Sequence, residues 1–173
     1  HEMGNVSNLS PDYGSVIACG LLALRERLND GELHAAMRTS IDAVLGLTRR
    51  YEEAARAAGD NDLADVLARV PAYGARTFRE ALQSLRILHY AMWCEGDYHN
   101  TVGRFDQFMY PYYKADIDSG RLTKEDALEL IEEFFRAVSV EARANIHLRQ
   151  VYGDEAHHVC EGLFKSFARA LRQ

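Results

Sequence analysis

Proline is scarce in this chain, and that scarcity constrains the fold more than any other feature of the sequence. Only 3 prolines occur among 173 residues, so few positions interrupt a backbone that is otherwise free to form helices. Apolar residues recur at helical spacing in several long stretches, and alternating runs of strand length are not found. The sequence therefore predicts an all-α fold with few or no strands.

The first part of the chain carries several helix start and stop signals. Ser10 followed by Pro11 is typical of a helix N-cap and first helical residue. A second helix is predicted from about 32 to 58, and a short third helix over 63–70 that stops before a proline.

Two capping boxes mark the strongest helix starts. Thr77 is followed three residues later by Glu80, and Thr123 in the same way by Asp126. The first box opens a segment that is apolar on both faces as far as Met92, which predicts a buried helix. A last amphipathic helix is predicted over about 154–171.

Charge and hydropathy restrict the partners. The formal net charge is −6, which argues against nucleic acid or an anionic membrane as the main partner, because both select basic surfaces. Residues 1–11 do not resemble a signal peptide, and no stretch has the length and apolarity of a membrane span. We therefore expect a cytoplasmic protein.

The sequence offers no convincing metal site. Cys19, Cys94 and Cys160 lack metal-ligand spacing and are interpreted as reduced thiols. The adjacent His157 and His158 would point to different sides of a helix, so they are not expected to reach one ion. From residue types alone, no metal ligand and no catalytic residue is predicted.

A run of motifs between residues 69 and 131 resembles a known enzyme family. The chain carries, in order, Arg69-Val70-Pro71-Ala72, Thr77-Phe78-Arg79-Glu80-Ala81-Leu82-Gln83-Ser84, Glu95-Gly96, Gly103-Arg104-Phe105-Asp106-Gln107-Phe108, Tyr110-Pro111-Tyr112-Tyr113, Asp116, Gly120, and Thr123 with Glu125, Ala127 and Glu129-Leu130-Ile131. This succession resembles the large domain of glycyl radical enzymes related to pyruvate formate-lyase, which reads V-P-A, T-F-x-E-A-L-Q, G-R-x-D-Q-x-x-x-P-Y-Y and T-x-E-x-A-x-E-L-I. With Ser10-Pro11-Asp12-Tyr13 and Arg50-Tyr51, the resemblance extends over roughly residues 8–140.

The resemblance implies a fold and a chemistry. Members are α/β barrels wrapped in helices, so this chain is expected to supply a helical segment of such a barrel. A backbone glycyl radical, installed by a separate iron–sulfur activating enzyme that uses S-adenosylmethionine, generates a thiyl radical on a cysteine. The thiyl radical then abstracts hydrogen from a small substrate under anaerobic conditions. Family activities include formate acetyltransferase, which is an acyltransferase, and lyases and dehydratases acting on diols, choline and other small molecules.

Both radical loops of the family are missing from these residues. No cysteine lies in a G-C-x-E-like loop, and no R-V-x-G-Y-like glycyl loop is present. The chain is therefore expected to be a fragment or subunit that is not catalytically competent alone, and whether it is itself an enzyme is left open. The alternative is a non-catalytic helical binding or assembly protein derived from the family.

Five positions within the region of resemblance are singled out for the site, one of which departs from the family pattern. Asn8 stands where many members carry a histidine three residues before Pro-Asp-Tyr, and with Ser84 it is a candidate for binding substrate. Arg104, Asp106 and Gln107 resemble a structural polar network that anchors helix to barrel.

One helical domain is predicted over residues 1–173. Residues 8–140 resemble part of the pyruvate formate-lyase-like domain, and 141–173 form an unaligned C-terminal helix. Apolar helix faces that normally cover a barrel favour association. The expected partners are therefore further copies of the chain or the remainder of a glycyl radical enzyme, together with the activating enzyme.

Overall fold

The computed structural model describes residues 9–94 and 101–141, with side chains as far as residue 137. Within those ranges the chain forms seven α-helices, and the only extended feature is an isolated bridge at Leu9. This confirms the all-α prediction. The chain divides into two compact units, 1–102 and 103–173, and each is described by itself. The prediction of one domain over 1–173 stays a prediction, as does that of a C-terminal helix, whose residues lie outside the described ranges.

The first unit holds five helices. They are α1 (Tyr13–Cys19), α2 (Leu21–Glu26), α3 (Glu32–Ala57), α4 (Asn61–Arg69) and α5 (Phe78–Cys94). The bounds of α3 lie close to the predicted ones. In α4 the helix begins two residues earlier than predicted, because Asp60 is its N-cap and accepts from the backbone N–H of Leu63 at 3.0 Å.

The first predicted helix start was wrong. Asp12, not Ser10, is the N-cap of α1, and its carboxylate accepts from the backbone N–H of Ser15 at 3.1 Å. Hydrogen bonds from the side chain and the backbone of Ser15 hold the pKa of Asp12 below its usual value. Gly20 then separates α1 from α2 at φ +82°, a conformation that favours glycine.

The loop after α4 packs directly on the α1–α2 junction. The backbone N–H of Leu21 donates to the carbonyl of Pro71 at 2.9 Å, and that of Ala75 donates to the carbonyl of Ile17 at 2.9 Å. Gly74 lies so close that a β-carbon there would meet the carbonyl of Ala18. The loop therefore packs on the α1–α2 junction as a non-helical segment and fixes the position at which α1 ends and α2 begins.

Helix α5 is the central element of the first unit. It contacts α1, α3 and α4, and seven of its residues are buried: Phe78, Glu80, Ala81, Leu82, Ser84, Leu85 and Ile87. This confirms the sequence-based expectation of a buried helix. Ile87 joins α5 to a cluster with Ala55 of α3 and with Ala64 and Leu67 of α4.

The second unit contains α6 (Phe105–Asp118) and α7 (Lys124–Glu141). Helix α6 continues through Pro111. The rings of Phe105 and Phe134 lie 6.1 Å apart and join the two helices. Between them the buried carboxylate of Asp116 pairs with the guanidinium of Arg121.

The predicted cap of α7 is confirmed in both directions. The backbone N–H of Asp126 donates to Thr123 Oγ1 at 3.1 Å, and the backbone N–H of Thr123 donates to Asp126 Oδ2 at 3.0 Å. Hydrogen bonding by Thr123 holds the pKa of Asp126 below its usual value. Across the described ranges, no helix combines the length and apolarity needed to cross a membrane.

Candidate functional site

The candidate site of the first unit is where α1 meets the C-terminal half of α5. Tyr13, the first residue of α1, is 2% exposed. Its hydroxyl lies 2.8 Å from Nδ1 of His89 on α5 and 3.6 Å from Sδ of Met92. The Tyr13–His89 hydrogen bond therefore ties the start of the chain's described part to a helix 76 residues further on.

Burial keeps the hydroxyl of Tyr13 protonated. Desolvation raises the pKa of Tyr13 well above its ordinary value of 10.0. The tyrosine is therefore a neutral hydroxyl at physiological pH, able to donate to His89 Nδ1 when that nitrogen carries no proton, or to accept from it when it does. Because either group can act as donor or acceptor, the hydrogen bond persists with the proton on either partner.

Aromatic and sulfur side chains surround the histidine. The rings of Tyr13 and His89 lie 6.1 Å apart, and those of His89 and Trp93 lie 6.5 Å apart. His89 is thus flanked by polarisable aromatic rings from α1 and α5.

Ser84 lies on the same helix but not in this cluster. It is 1% exposed, and it precedes His89 by five positions, which places the two side chains on different faces of α5. The structure therefore does not bring the predicted substrate-binding serine together with the Tyr13–His89 pair. Asn8, its predicted companion, lies outside the described residues.

An ion-pair network supports the N-terminal end of α5. The backbone N–H of Glu80 donates to Thr77 Oγ1 at 3.1 Å, which confirms the predicted cap. The Glu80 carboxylate reaches back one residue further than a standard capping box and accepts from the backbone N–H of Arg76 at 2.6 Å. Its oxygens also lie 3.1 Å from Arg76 and 3.5 Å from Arg69.

This network holds the loop after α4. Arg69 donates to the carbonyl of Gly74 at 3.0 Å, and so connects α4, the loop and α5. The contacts of the motif residues Arg69, Thr77 and Glu80 therefore position the backbone of this loop and of the start of α5.

The second unit contains the predicted structural network. Arg104 donates to both carboxylate oxygens of Asp106, each at 3.1 Å. The guanidinium of Arg104 holds the pKa of Asp106 below its usual value. Gln107 is exposed, and its backbone N–H donates to the carbonyl of Arg104 at 2.9 Å. The structure places Arg104 and Asp106 together at the start of α6, and their role as an anchor stays a prediction.

The cysteines within the described ranges are free thiols. Cys19 donates to the carbonyl of Gly20 at 3.5 Å, and exposed Cys94 hydrogen-bonds to Tyr90, which raises the pKa of Tyr90. Among the described residues, no group of three or more His, Cys, Asp or Glu side chains is arranged to hold a metal ion. Cys160, His157 and His158 lie outside those ranges.

The sequence-based prediction missed the Tyr13–His89 pair. Tyr13 belongs to the Ser10–Tyr13 motif that resembles the family, so the sequence already pointed to this residue. His89 follows no motif, and only the packing of α1 on α5 shows that the two residues meet.

In the first unit the helices pack around the buried helix α5, and both units carry motifs that resemble those of glycyl radical enzymes. The model of the pyruvate formate lyase-like family matches residues 1–151. The chain belongs to this family.

Solved structures support the fold. An Archaeoglobus fulgidus glycyl radical enzyme aligns with a TM-score of 0.66 at 24% identity, over 73% of this chain and 20% of that one. A protein of 1,2-propanediol dehydration from Roseburia inulinivorans aligns with a TM-score of 0.61 at 28% identity, over 74% of this chain and 18% of that one. This confirms the resemblance and shows that the chain spans about a fifth of these proteins.

Curated relatives include proteins of two kinds. The 4-hydroxyphenylacetate decarboxylase glycyl radical subunit of Clostridioides difficile is 36% identical over 100 residues, which cover 57% of this chain and 10% of that protein. The imidazoleglycerol-phosphate dehydratase of an Exiguobacterium species is 51% identical over 61 residues, which cover 35% of this chain and 31% of that protein. The family match leaves only residues 152–173 outside it, so the 61-residue match overlaps the pyruvate formate lyase-like region. Part of the pyruvate formate lyase-like region is therefore also similar to a different protein, an imidazoleglycerol-phosphate dehydratase.

Proposed function

We propose that this chain is a helical segment of a glycyl radical enzyme that acts on a small molecule, with the radical-bearing residues supplied outside it. The observation that carries the proposal is the family match over residues 1–151. The reaction class would be a radical lyase, dehydratase, decarboxylase or acyl transfer, since the similar proteins include a decarboxylase subunit and a protein of diol dehydration.

Within that enzyme, the Tyr13–His89 hydrogen bond would position the N-terminal segment. Tyr13 is buried and hydrogen-bonded to α5, so the described residues 9–12 precede a fixed point on that helix. We propose Asn8 and Ser84 as substrate-binding groups, each able to donate and accept hydrogen bonds. Tyr13 and His89 would act as positioning residues, while Arg104, Asp106 and Gln107 are proposed to hold α6 in place.

The radical chemistry would come from other chains or segments. In this proposal a separate activating enzyme carries the iron–sulfur cluster and uses S-adenosylmethionine. Among the described residues of this chain, no group of three or more His, Cys, Asp or Glu side chains is arranged to hold such a cluster. The chain's contribution is to bind, orient and shield.

Electron paramagnetic resonance tests the proposal. The isolated chain, incubated anaerobically with an activating enzyme and S-adenosylmethionine, is expected to give no glycyl radical signal. The protein purified from its native source should have a mass several-fold above 19.6 kDa and should give the signal. A radical on the isolated chain would contradict the proposal, and a native mass near 19.6 kDa would favour the non-catalytic binding or assembly protein.

Substitution of the serine tests the proposed substrate contact. In the native enzyme, Ser84→Ala should raise KM more than it lowers kcat, because it removes a binding hydrogen bond. Ser40→Ala, the same substitution at an exposed position on α3, serves as the control that leaves KM unchanged. Equal KM values for Ser84→Ala and the parent enzyme would remove Ser84 from the site.

A second candidate function follows from the similarity to imidazoleglycerol-phosphate dehydratase, which at 51% identity is the higher of the two sequence identities. Since the glycyl radical motifs end near residue 131, we propose that this similarity includes the region after residue 140. Incubation of the chain with imidazoleglycerol phosphate tests it directly. Formation of the dehydrated product would support this candidate, and an inactive chain would leave the similarity as one of sequence only.

A further inference from the structure

Three oxidisable side chains surround one imidazole where α1 meets the C-terminal half of α5. The hydroxyl of Tyr13 lies 2.8 Å from Nδ1 of His89 and 3.6 Å from Sδ of Met92. The ring of Trp93 lies 6.5 Å from that of His89. Phenol, thioether and indole groups lose an electron more readily than most other side chains, so this cluster is suited to one-electron chemistry.

Burial and the hydrogen bond decide how the phenol of Tyr13 can lose an electron. Desolvation raises the pKa of Tyr13, so the group reacts as a neutral phenol and not as a phenolate. A phenol that loses an electron becomes a strong acid and must pass its proton to a base. Nδ1 of His89 is already in hydrogen-bond contact, and an imidazole nitrogen that carries no proton is a base of suitable strength. The proton therefore has an acceptor within the protein.

The three rings differ in their access to solvent. Tyr13 is 2% exposed, whereas His89 and Trp93 are half-buried. Solvent can therefore stabilise the charge of an imidazolium at His89, and the indole of Trp93 presents an edge to oxidants in solution. The ring centroids are separated by 6.1 Å from Tyr13 to His89 and by 6.5 Å from His89 to Trp93. Electrons tunnel rapidly over steps of this length.

We propose that Tyr13 is a redox-active tyrosine that receives the oxidising equivalent created at Trp93. In the first step, a strong oxidant of the organic peroxyl radical class takes one electron from Trp93 and leaves as the hydroperoxide anion, and Trp93 becomes an indole radical cation. In the second step, Trp93 regains one electron from Tyr13, while the phenolic proton passes to Nδ1 of His89. The products are neutral Trp93, a neutral phenoxyl radical at Tyr13 and an imidazolium at His89.

A small-molecule reductant of the ascorbate class closes the cycle. It gives one electron to the phenoxyl radical of Tyr13 and releases its own proton to solvent, while His89 returns the phenolic proton. The side chains are then unchanged, so the site removes one-electron oxidants without lasting damage to the protein. The inference does not depend on the proposed enzymatic function.

Photo-oxidation of the full chain tests the inference. Tris(bipyridine)ruthenium(II) is excited by a laser flash and quenched with persulfate, and the ruthenium(III) oxidant that forms takes an electron from the protein. Electron paramagnetic resonance after freeze-quenching should show a long-lived tyrosyl radical. Tyr13→Phe should lose this signal, whereas Tyr73→Phe, at a position 53% exposed, should retain it. Trp93→Phe should lower the yield, because Trp93 is the single tryptophan of the chain.

Substitution of the histidine separates proton transfer from packing. In His89→Gln the amide can still accept a hydrogen bond but does not take up a proton, so the long-lived signal should be lost although Tyr13 remains. His34→Gln is the matched control, since the ring of His34 contacts Asn29 and not a tyrosine. Far-ultraviolet circular dichroism should be the same for all variants and the parent chain.

Electron–nuclear double resonance provides a test that requires no substitution. In the parent chain, the phenoxyl oxygen should show one hydrogen-bonded proton that exchanges in deuterated water, because the imidazolium of His89 donates it back to that oxygen. A phenoxyl oxygen without such a proton would contradict the inference.

Four further results would overturn the inference. They are a parent chain without a long-lived tyrosyl radical, a signal that persists in Tyr13→Phe or His89→Gln, a yield that Trp93→Phe leaves unchanged, and a signal that Tyr73→Phe removes. The last result would place the radical on the exposed tyrosine.

Discussion

Gly20 packs directly against the backbone of Tyr73. A β-carbon at Gly20 would lie 2.5 Å from Cα of Tyr73 and 2.5 Å from the carbonyl oxygen of Ala72. Real Cβ atoms do not approach other atoms so closely, so the α1–α2 junction and the loop after α4 can meet only because residue 20 has no side chain. The position also has φ +82°.

Replacement of this glycine should strongly destabilise the first unit. Gly20→Ala adds a steric clash to a backbone strain of about 1–2 kcal/mol, so we expect it to cost more than about 2 kcal/mol. Gly59→Ala is the matched control, since Gly59 has φ +81° but open space around it. Urea denaturation should show a larger loss for Gly20→Ala than for Gly59→Ala. Equal losses would mean that the loop moves away at little cost.

Tyr13 should make the protein sensitive to alkali. Burial raises its pKa above the ordinary 10.0, so above pH 10 the unfolded chain releases this proton while the folded chain retains it. The contribution to stability is therefore fully present below pH 10 and is lost as the pH rises toward the folded-state pKa. Urea midpoints measured between pH 8 and pH 11 should fall at the alkaline end.

Tyr13→Phe separates this contribution from those of the other tyrosines. It should cost about 1 kcal/mol near neutral pH, because it removes the hydrogen bond to His89, and it should flatten the alkaline decline. Tyr73→Phe, at a position 53% exposed, should retain the decline. An unchanged pH profile in Tyr13→Phe would show that another group is responsible.

Leu85 should be among the most sensitive core positions. It is 0% exposed on the central helix α5, and truncation of a buried leucine costs about 2–5 kcal/mol. Leu85→Ala is therefore expected to lower the free energy of unfolding by that amount. Leu33→Ala, at 66% exposure, should change it by less than about 0.5 kcal/mol in dilute solution. A small effect of Leu85→Ala would contradict the central role of α5.

Asp106 should stabilise the second unit at neutral pH, and this stabilisation should be lost in acid. Hydrogen bonding by Arg104 lowers the pKa of this carboxyl from 3.8, so its stabilising effect is present above about pH 4 and is lost as the pH falls further. Asp106→Asn should remove that pH dependence. Because the Arg104 side chain is 65% exposed, the effect is expected to be small and to weaken with salt. Thermal unfolding of the parent protein and of Asp106→Asn at pH 3 and pH 6 measures this loss of stability. The same change in unfolding temperature between the two pH values in both proteins would contradict the prediction.

Much of the helical layout was predictable because its signals are local. The pairs Thr77–Glu80 and Thr123–Asp126 sit three residues apart, so the capping hydrogen bonds they form could be read from the sequence. The apolar character of 78–92 on both faces likewise identified a buried helix. The family followed from the order and spacing of motifs, which packing does not alter.

The failures came from long-range geometry. Ser10 and Asp12 are both good N-caps, and the choice between them depends on where α1 docks. The first helix breaks at Gly20, where a loop more than 50 residues later in the chain packs against the backbone. The Tyr13–His89 pair could not be predicted for the same reason, because the two residues lie 76 positions apart in the chain.

The sequence by itself determined the helix content, the capping boxes and the family, because these depend on neighbours along the chain. Only the tertiary structure decided that Tyr13 meets His89, that Gly20 admits the loop after α4, and that Leu33 and Met37 stay exposed. Each of those depends on which helix faces are brought together, and the burial of apolar surface across distant segments selects that arrangement.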